Sequence, residues 1–262
     1  MNSKPSVTVV IPYKNNLKYL YAALNSVFKQ TYQNYKILII YDDENRNDLD
    51  KIQEFLNSKK KKFFSSVKIK KNKKNLGAGY SRNIGIKKSN TKYIAFLDAD
   101  DIWAKNKLKF QINLMEKNNE VFSHTSYFII NKNNEIVSLR NAKKIIKFQN
   151  LLKSCDIGLS TVMINTKFIK KNKYYFPKIK TKEDFVLWLK ITKDIKSVVG
   201  IDKKLTYYRK TENSLSSNKI ISLLNGYKVY RDYMKFSHIK SLFYLIILSI
   251  NFLKKNIYSK KI

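Results

Sequence analysis

The periodicity of apolar positions changes several times along this chain, and each change marks an element. Residues 6–11 (Ser-Val-Thr-Val-Val-Ile) form an almost unbroken apolar run. Such a run predicts a strand buried on both faces, stopped by Pro12. Leu17, Leu20, Leu24, Val27 and Phe28 then recur at helical spacing, with Asn15 or Asn16 placed to cap the helix they predict. Residues 35–41 predict a second strand, ended by Asp42-Asp43, and Leu49, Ile52 and Leu56 mark a second helix. Lys59 to Lys62 read as an exposed loop, and Val67–Lys71 as a third strand. Gly77-Ala78-Gly79 opens a third helix running to about Lys88. Residues 92–97 (Lys-Tyr-Ile-Ala-Phe-Leu) predict a fourth strand, which ends at Asp98-Ala99-Asp100-Asp101.

Strand and helix therefore alternate through the first hundred residues. That order implies right-handed crossovers and a mostly parallel sheet with helices on both faces. Sheets of this kind bind ligands at the carboxyl ends of their strands, and both acidic clusters fall there. Beyond Lys105 the pattern loosens. It predicts a helix over about 105–118, a hairpin over 121–139 turning at Asn133-Asn134, a helix over 183–193, a short strand at 204–209, and two helices within 219–258.

Composition narrows the class. The 262 residues are 44% hydrophobic, with 18 Tyr and 15 Phe, enough for a sizeable core. The formal net charge of +34 suits polyanionic partners: nucleic acid, anionic membrane or phosphorylated substrates. The dominance of Lys, Asn and Ile is equally explained by compositional drift. The single Cys155 excludes a disulfide framework and a Cys-based zinc site, and fits a reducing cytoplasm; it reads as a small apolar filler. No signal peptide is legible at the N-terminus. His124 and His238 read as surface or hydrogen-bonded residues without a metal role.

Three carboxylates within Asp98–Asp101 would repel one another unless paired. A divalent cation, Mg²⁺ or Mn²⁺, relieves this and keeps open positions for substrate phosphates. The competing reading is a solvated turn capping the next helix. Asp42-Asp43 admits the same two readings, as does Glu183-Asp184, where acidic residues in a helix's first turn favour its dipole. Arg209 reads as a phosphate contact or as a surface salt bridge.

Several of these segments together resemble glycosyltransferase family 2. They are Val7-Thr8-Val9-Val10-Ile11-Pro12-Tyr13, Ser26–Tyr32, Asp42-Asp43, Asn75-Leu76-Gly77 with Ser81-Arg82-Asn83-Ile84-Gly85, and Ala95–Trp103; then Lys182–Leu189, and Tyr208-Arg209 with Ser214 and Ser216. Their order and spacing match the family over residues 6–217. The stretch Ser123–Tyr127 is similar to the branch that builds capsule, teichuronic-acid and lipopolysaccharide sugars. Glu44-Asn45-Arg46 departs from the Gly-Ser-Thr usual after the family's first Asp pair.

The resemblance implies a GT-A (Rossmann-like) α/β fold with a catalytic domain over 1–217 and a C-terminal helical appendage over 218–262. It implies an inverting, metal-dependent transfer from a nucleotide-sugar donor, UDP by family analogy, to a saccharide or lipid-linked saccharide acceptor. By the same resemblance, Pro12 and Tyr13 line the base pocket, with Asp42 in the same donor site, and Asp43 accepts a base N–H. Arg82 lies near the diphosphate or base, Asp98 touches the ribose, Asp100 and Asp101 hold the metal–diphosphate, and Asp184 is the base. The chemistry agrees: a cation stabilises the departing diphosphate, and a carboxylate takes the proton of a weakly nucleophilic hydroxyl. Opposite-face attack inverts the anomeric carbon, as in inverting glycosidases. A nucleic-acid-binding module is disfavoured by acidic strand ends and loop-borne lysines; an inactive transferase-like subunit is disfavoured by retention of Asp100, Asp101 and Asp184.

Residues 241–253 carry no charge and are flanked by Lys240 and Lys254-Lys255. As a helix they reach roughly 20 Å, short of the ~30 Å hydrocarbon core. They suit an interfacial helix on an anionic leaflet, placing the protein on the inner face of the cytoplasmic membrane, or a helix packed on the catalytic domain or a dimer partner.

Overall fold

In the computed structural model, residues 5–210 and 219–258 are described. Ten strands form one mixed sheet. The first half follows its periodicity with one added helix, α3: β1 (Val7–Tyr13), α1 (Leu17–Phe28), β2 (Tyr35–Tyr41), α2 (Asn47–Asn57), α3 (Lys61–Ser66), β3 (Val67–Lys71), α4 (Ala78–Lys88) and β4 (Tyr93–Phe96). Then follow β5 (Ile102–Trp103), α5 (Lys107–Asn118), β6 (Phe122–Ile130), β7 (Ile136–Arg140), β8 (Ile145–Ile146), α6 (Phe148–Lys153), β9 (Met163–Asn165) and α7 (Thr166–Lys171). The chain finishes with α8 (Glu183–Asp194), β10 (Val198–Arg209), α9 (Lys219–Lys228) and α10 (His238–Tyr258).

The strand order is β3-β2-β1-β4-β9-β6-β10-β5, with β7 on β6 and β8 on β10. The long ladders are parallel: β1 with β2 and β4, β2 with β3, and β10 with β6. The three-residue β9 runs antiparallel between β4 and β6 and joins the two parallel groups. Alternate residues of the central strands enter separate cores. Val10, Ile94 and Phe96 pack with Ile86, Trp188 and Tyr230 on one face. Val9, Ile11 and Ala95 pack with Leu20, Leu24, Ile52 and Leu108 on the other. Burial on both faces is why these strands read as unbroken apolar runs rather than as alternation.

Three local expectations change. Strand β1 does not stop at Pro12 but continues through it to Tyr13, still in register with β2. The N–H of Val7 points to β2 through Asn34, so the position of Pro12's missing N–H faces β4, whose pairing ends at Val10. A proline there costs no ladder bond. The Lys59–Lys62 loop gives way to the short helix α3. The strand expected at 204–209 is twelve residues long, its outer half hidden from pattern reading by two register shifts against β6. The expected hairpin at 121–139 forms from β6 and β7 with Asn134 at φ 68°, a conformation asparagine tolerates.

Helix α10 lays one face on the domain. Leu248 is buried, and Tyr244 and Leu245 pack against the core around Tyr230. Tyr244, Tyr230 and Phe236 form an aromatic cluster with centroids 5.5 to 6.5 Å apart. The expected boundary at residue 217, together with Ser214 and Ser216, lies outside the described residues.

Candidate active site

Both acidic clusters stand at the carboxyl ends of strands flanking β1, but they are wired differently. Asp42 is buried. Its Oδ1 accepts from Asn72 Nδ2 (2.7 Å) and the Leu76 N–H (2.9 Å), and its Oδ2 from the Gly77 N–H (2.7 Å). The side chain thus clamps the loop that opens α4, where Gly77 takes φ 86°, a region closed to most side chains. Asp43 is half-buried and accepts the Asn45 N–H at 3.1 Å. Pro12 and Tyr13 are both buried; the Tyr13 hydroxyl donates to Asp48 at 2.6 Å. Burial, then Asp48, pushes the Tyr13 phenol far up. Arg46, in the segment that departs from the family pattern, lies over Tyr41 at 5.5 Å and donates to the Asn72 carbonyl at 2.6 Å.

The second cluster follows β4. Asp101 is 1% exposed. Its Oδ2 accepts from the Ser160 hydroxyl and its Oδ1 from the Arg209 N–H at 2.8 Å. Burial, then Asp100 and Asp98, raises its carboxyl well above the usual range. Asp98 and Asp100 are only partly buried. Burial and the neighbouring Asp98 push Asp100 up to about 6. Partly buried carboxylates this close together favour a bound positive charge.

Arg82, on α4, ties this turn to a distant part of the sequence. Its Nη2 donates to Asp98 at 2.6 Å and its Nη1 to Glu183 at 2.8 Å. The guanidinium also lies 5.4 Å over the Phe176 ring. Burial alone would lower its pKa, but the two carboxylates outweigh that and hold it charged. Helix α4 can bring Arg82 this close because Gly85 packs on β1: a Cβ there would lie 2.4 Å from Val10 Cγ1. Through Glu183 the first turn of α8 is drawn to the carboxylates, and with it Asp184. Burial, then Glu183, pushes the Asp184 carboxyl up to about 7, the range suited to a general base near neutral pH.

Arg209 forms neither a surface salt bridge nor an outward-facing cation. It is 2% exposed, and its guanidinium donates to the Asp100 carbonyl (2.9 Å), the Asn131 carbonyl (2.9 Å) and Asn134 Oδ1 (2.7 Å). It braces the Asp100-Asp101 turn. His124, expected at the surface or hydrogen-bonded, is buried, and burial pushes its pKa down to about 4. Cys155, expected as a core filler, is exposed.

Two structural hubs escaped the sequence reading. Ser160 donates to Asp101, accepts the Asp98 N–H at 3.0 Å, and through its carbonyl holds Trp103 Nε1 at 2.7 Å. Gln30 donates to the Ser26 and Ala104 carbonyls and accepts the Leu108 N–H at 3.0 Å, locking α1 to the segment after the acidic turn. Gln30 lay inside a quoted motif; Ser160 sits in an unpatterned stretch with no local signal. Among the described residues no group of three or more His, Cys, Asp or Glu is placed to hold a metal by itself.

The chain is similar to known proteins over nearly its whole length. The model for "Glycosyl transferase family 2" matches residues 8–177. The chain is 36% identical over 256 residues to the Escherichia coli protein named UDP-Glc:alpha-D-GlcNAc-diphosphoundecaprenol beta-1,3-glucosyltransferase WfgD, covering 97% of this chain and 96% of that one. It is 28% identical over 257 residues to the Bacillus subtilis putative teichuronic acid biosynthesis glycosyltransferase TuaG, covering 98% and 99%. Among solved structures, S. aureus TarS 1-349 in complex with UDP-GlcNAc superposes with a TM-score of 0.71 at 21% identity, covering 92% of this chain and 70% of that one.

Proposed function

The chain belongs to glycosyltransferase family 2 and has the GT-A fold, and from that premise we propose that it transfers a sugar, with inversion, from a UDP-sugar to a lipid-linked saccharide in cell-surface polysaccharide synthesis. The observation that carries the proposal is Arg82 bridging Asp98 and Glu183. It joins the strand-end carboxylates to the helix that presents Asp184. UDP-sugar and diphosphate-linked acceptor are the chemistries in the name of the E. coli relative, and the teichuronic-acid relative supports a cell-wall setting.

In this reading Asp184 takes the proton of the acceptor hydroxyl, and Glu183 stays engaged with Arg82. Asp100 faces the donor diphosphate together with Mg²⁺ or Mn²⁺, and Asp98 turns to the ribose. Asp101, both of whose oxygens are engaged, holds the turn from behind. The donor set fits a hard divalent cation: carboxylate oxygens from this turn, with phosphate and water completing the shell. Such a cation supplies positive charge where the diphosphate leaves. Asp42, Asp43, Pro12 and Tyr13 form the floor under the base, with Asp42 acting through the loop it clamps. The test is incubation with a panel of nucleotide sugars, Mn²⁺ and a sugar-diphosphate-lipid acceptor. An inverted glycosidic product from a UDP-sugar is expected; a retained anomer would reject the assigned chemistry.

We further propose that α10 rests on an anionic membrane surface, at the inner face of the cytoplasmic membrane. No helix among the described residues is long and apolar enough to cross one. The outward face of α10 exposes Ile239, Leu242, Phe243, Ile246 and Ile250, an i, i+3, i+4, i+7, i+11 series. Residues 219–258 hold seven Lys or Arg and one acidic residue, Asp232. That balance favours anionic lipid over a second copy of a chain carrying +34. Because the inner face of α10 joins the core, the test replaces outer residues instead of deleting the tail. Phe243→Glu with Ile246→Glu should move the protein to the supernatant in co-sedimentation with anionic vesicles; unchanged pelleting rejects the proposal.

A further inference from the structure

Helix α9 is joined by direct contacts to the segment that opens α8. Asn225 and Thr181 are both buried, and Asn225 Nδ2 donates to Thr181 Oγ1 at 2.9 Å. One residue on, Gly226 packs so closely that a Cβ there would lie 3.5 Å from Lys182 Cε and 2.9 Å from Leu245 Cδ1. Lys182 precedes α8, and its carbonyl accepts the Val186 N–H at 3.0 Å. Glu183, next in the chain, holds Arg82. One face of α9 is thus wedged between α10 and the residues that lead into Glu183 and Asp184.

Another face of α9 is apolar and exposed. Ile220, Leu223 and Leu224 are 71%, 48% and 59% exposed, and Tyr227 completes an i, i+3, i+4, i+7 stripe with them. The Tyr227 hydroxyl shares a hydrogen bond with His238 Nδ1 at 2.6 Å, and the two rings stack with centroids 6.4 Å apart. His238 stands one turn before Leu242, which is on the exposed face of α10. The stripe of α9 therefore meets the outer face of α10 at a direct contact. A joined apolar surface of this extent marks an interaction site. Exposed Lys228, Lys235 and Lys240 accompany it, against Asp232 as the one acidic residue of 219–258. An apolar band with lysines around it is the complement of an anionic leaflet. A second copy would set the same lysines against their own kind.

We propose that α9 rests on the anionic bilayer together with α10, in one footprint that extends to the helix packed on Thr181 and Lys182. This rests on the membrane reading of α10 given above and carries it to the segment that opens α8. The experiment places one new tryptophan in the full chain, as Leu224→Trp or as Phe243→Trp, and adds phosphatidylglycerol vesicles brominated on their acyl chains. Native Trp103 and Trp188 are 3% and 0% exposed, so the added indole is the one within reach of the bromine. Both variants should shift their emission to the blue on vesicle binding and be quenched by the brominated lipid. Quenching of Phe243→Trp alone would overturn the α9 proposal and leave the α10 reading standing. Quenching of Leu224→Trp alone would overturn the shared footprint through α10 instead, and quenching of neither would reject both. Electrostatic adhesion of lysines to the surface does not bring an indole to acyl bromine, so it counts against the proposal. As a second measurement, Leu223→Glu with Leu224→Glu alters two exposed positions and should keep the wild-type Tm within a few degrees. It should weaken partitioning onto unbrominated phosphatidylglycerol vesicles about tenfold or more; unchanged partitioning overturns the proposal. A wild-type dimer in light scattering that this variant dissociates would assign the face to a second copy and overturn it as well.

Discussion

Asp42 and Asp98–Asp101 end two strands that flank the same central strand β1, and the structure uses them in opposite ways. Asp42 spends its carboxylate on Asn72 and two backbone N–H groups. The second turn divides the work: Asp101 is engaged by Ser160 and Arg209, Asp98 is paired with Arg82, and Asp100 stays partly exposed. Position at a strand end selects where acidic residues gather. Which oxygens remain free after the backbone is satisfied decides what they can do.

The comparison can be broken at several points, and the largest effect belongs to the residue that the second cluster recruits. Asp184→Asn should lower kcat by about 10² or more while calorimetric UDP affinity stays nearly constant. In wild type the acid limb of kcat/KM should centre near pH 7, since Asp184 acts as the deprotonated form and its carboxyl is held up to about 7. Activity therefore rises with pH through that value, and the limb should vanish in the variant. An acid limb near pH 4 would remove Asp184 from the role.

Arg82→Ala comes next. It leaves Asp98 and Glu183 without their buried cation, a loss of about 3–5 kcal/mol by the cost of breaking buried pairs, read by denaturant unfolding. A cost under about 1 kcal/mol would mean that the bridge does not hold α8 to the acidic turn. Asp42→Asn should cost about 2 kcal/mol, because the amide turns a donor toward one of the N–H groups now bonded. Thermal melting checks it, as a Tm fall of several degrees. Ser160→Ala, which removes the hydroxyl bond to Asp101 and the acceptor of the Asp98 N–H, should cost about 1–2 kcal/mol. A larger loss than for Asp42→Asn would invert the ranking of the two clusters' structural roles.

The same contrast explains what was legible in the sequence. Strands β1 to β4 are covered on both faces, so their apolar runs are long and clean, and their carboxyl ends could be located. Periodicity predicted β10 only in part, and it did not predict β9 or α7. These elements have three to six residues or irregular register, too little for a period to establish itself. Asp100 and Asp184 stood out through local charge and family resemblance. The occupation of Asp42 did not, because its partners lie thirty or more residues away, at Asn72, Leu76 and Gly77. Arg209 misled for a similar reason: a terminal arginine on a strand reads as surface charge, yet its donors turn inward to carbonyls at Asp100 and Asn131. The outer face of α10 was visible as an uncharged stretch.

Calorimetric titration of UDP with and without Mn²⁺, on wild type, Asp100→Asn and Asp42→Asn below their melting temperatures, tests the division between the two clusters most directly. The account predicts that Asp100→Asn abolishes the Mn²⁺-dependent gain in UDP affinity with little change in Tm, while Asp42→Asn keeps that gain and melts earlier. A metal-dependent gain that survives in Asp100→Asn and disappears in Asp42→Asn would contradict it.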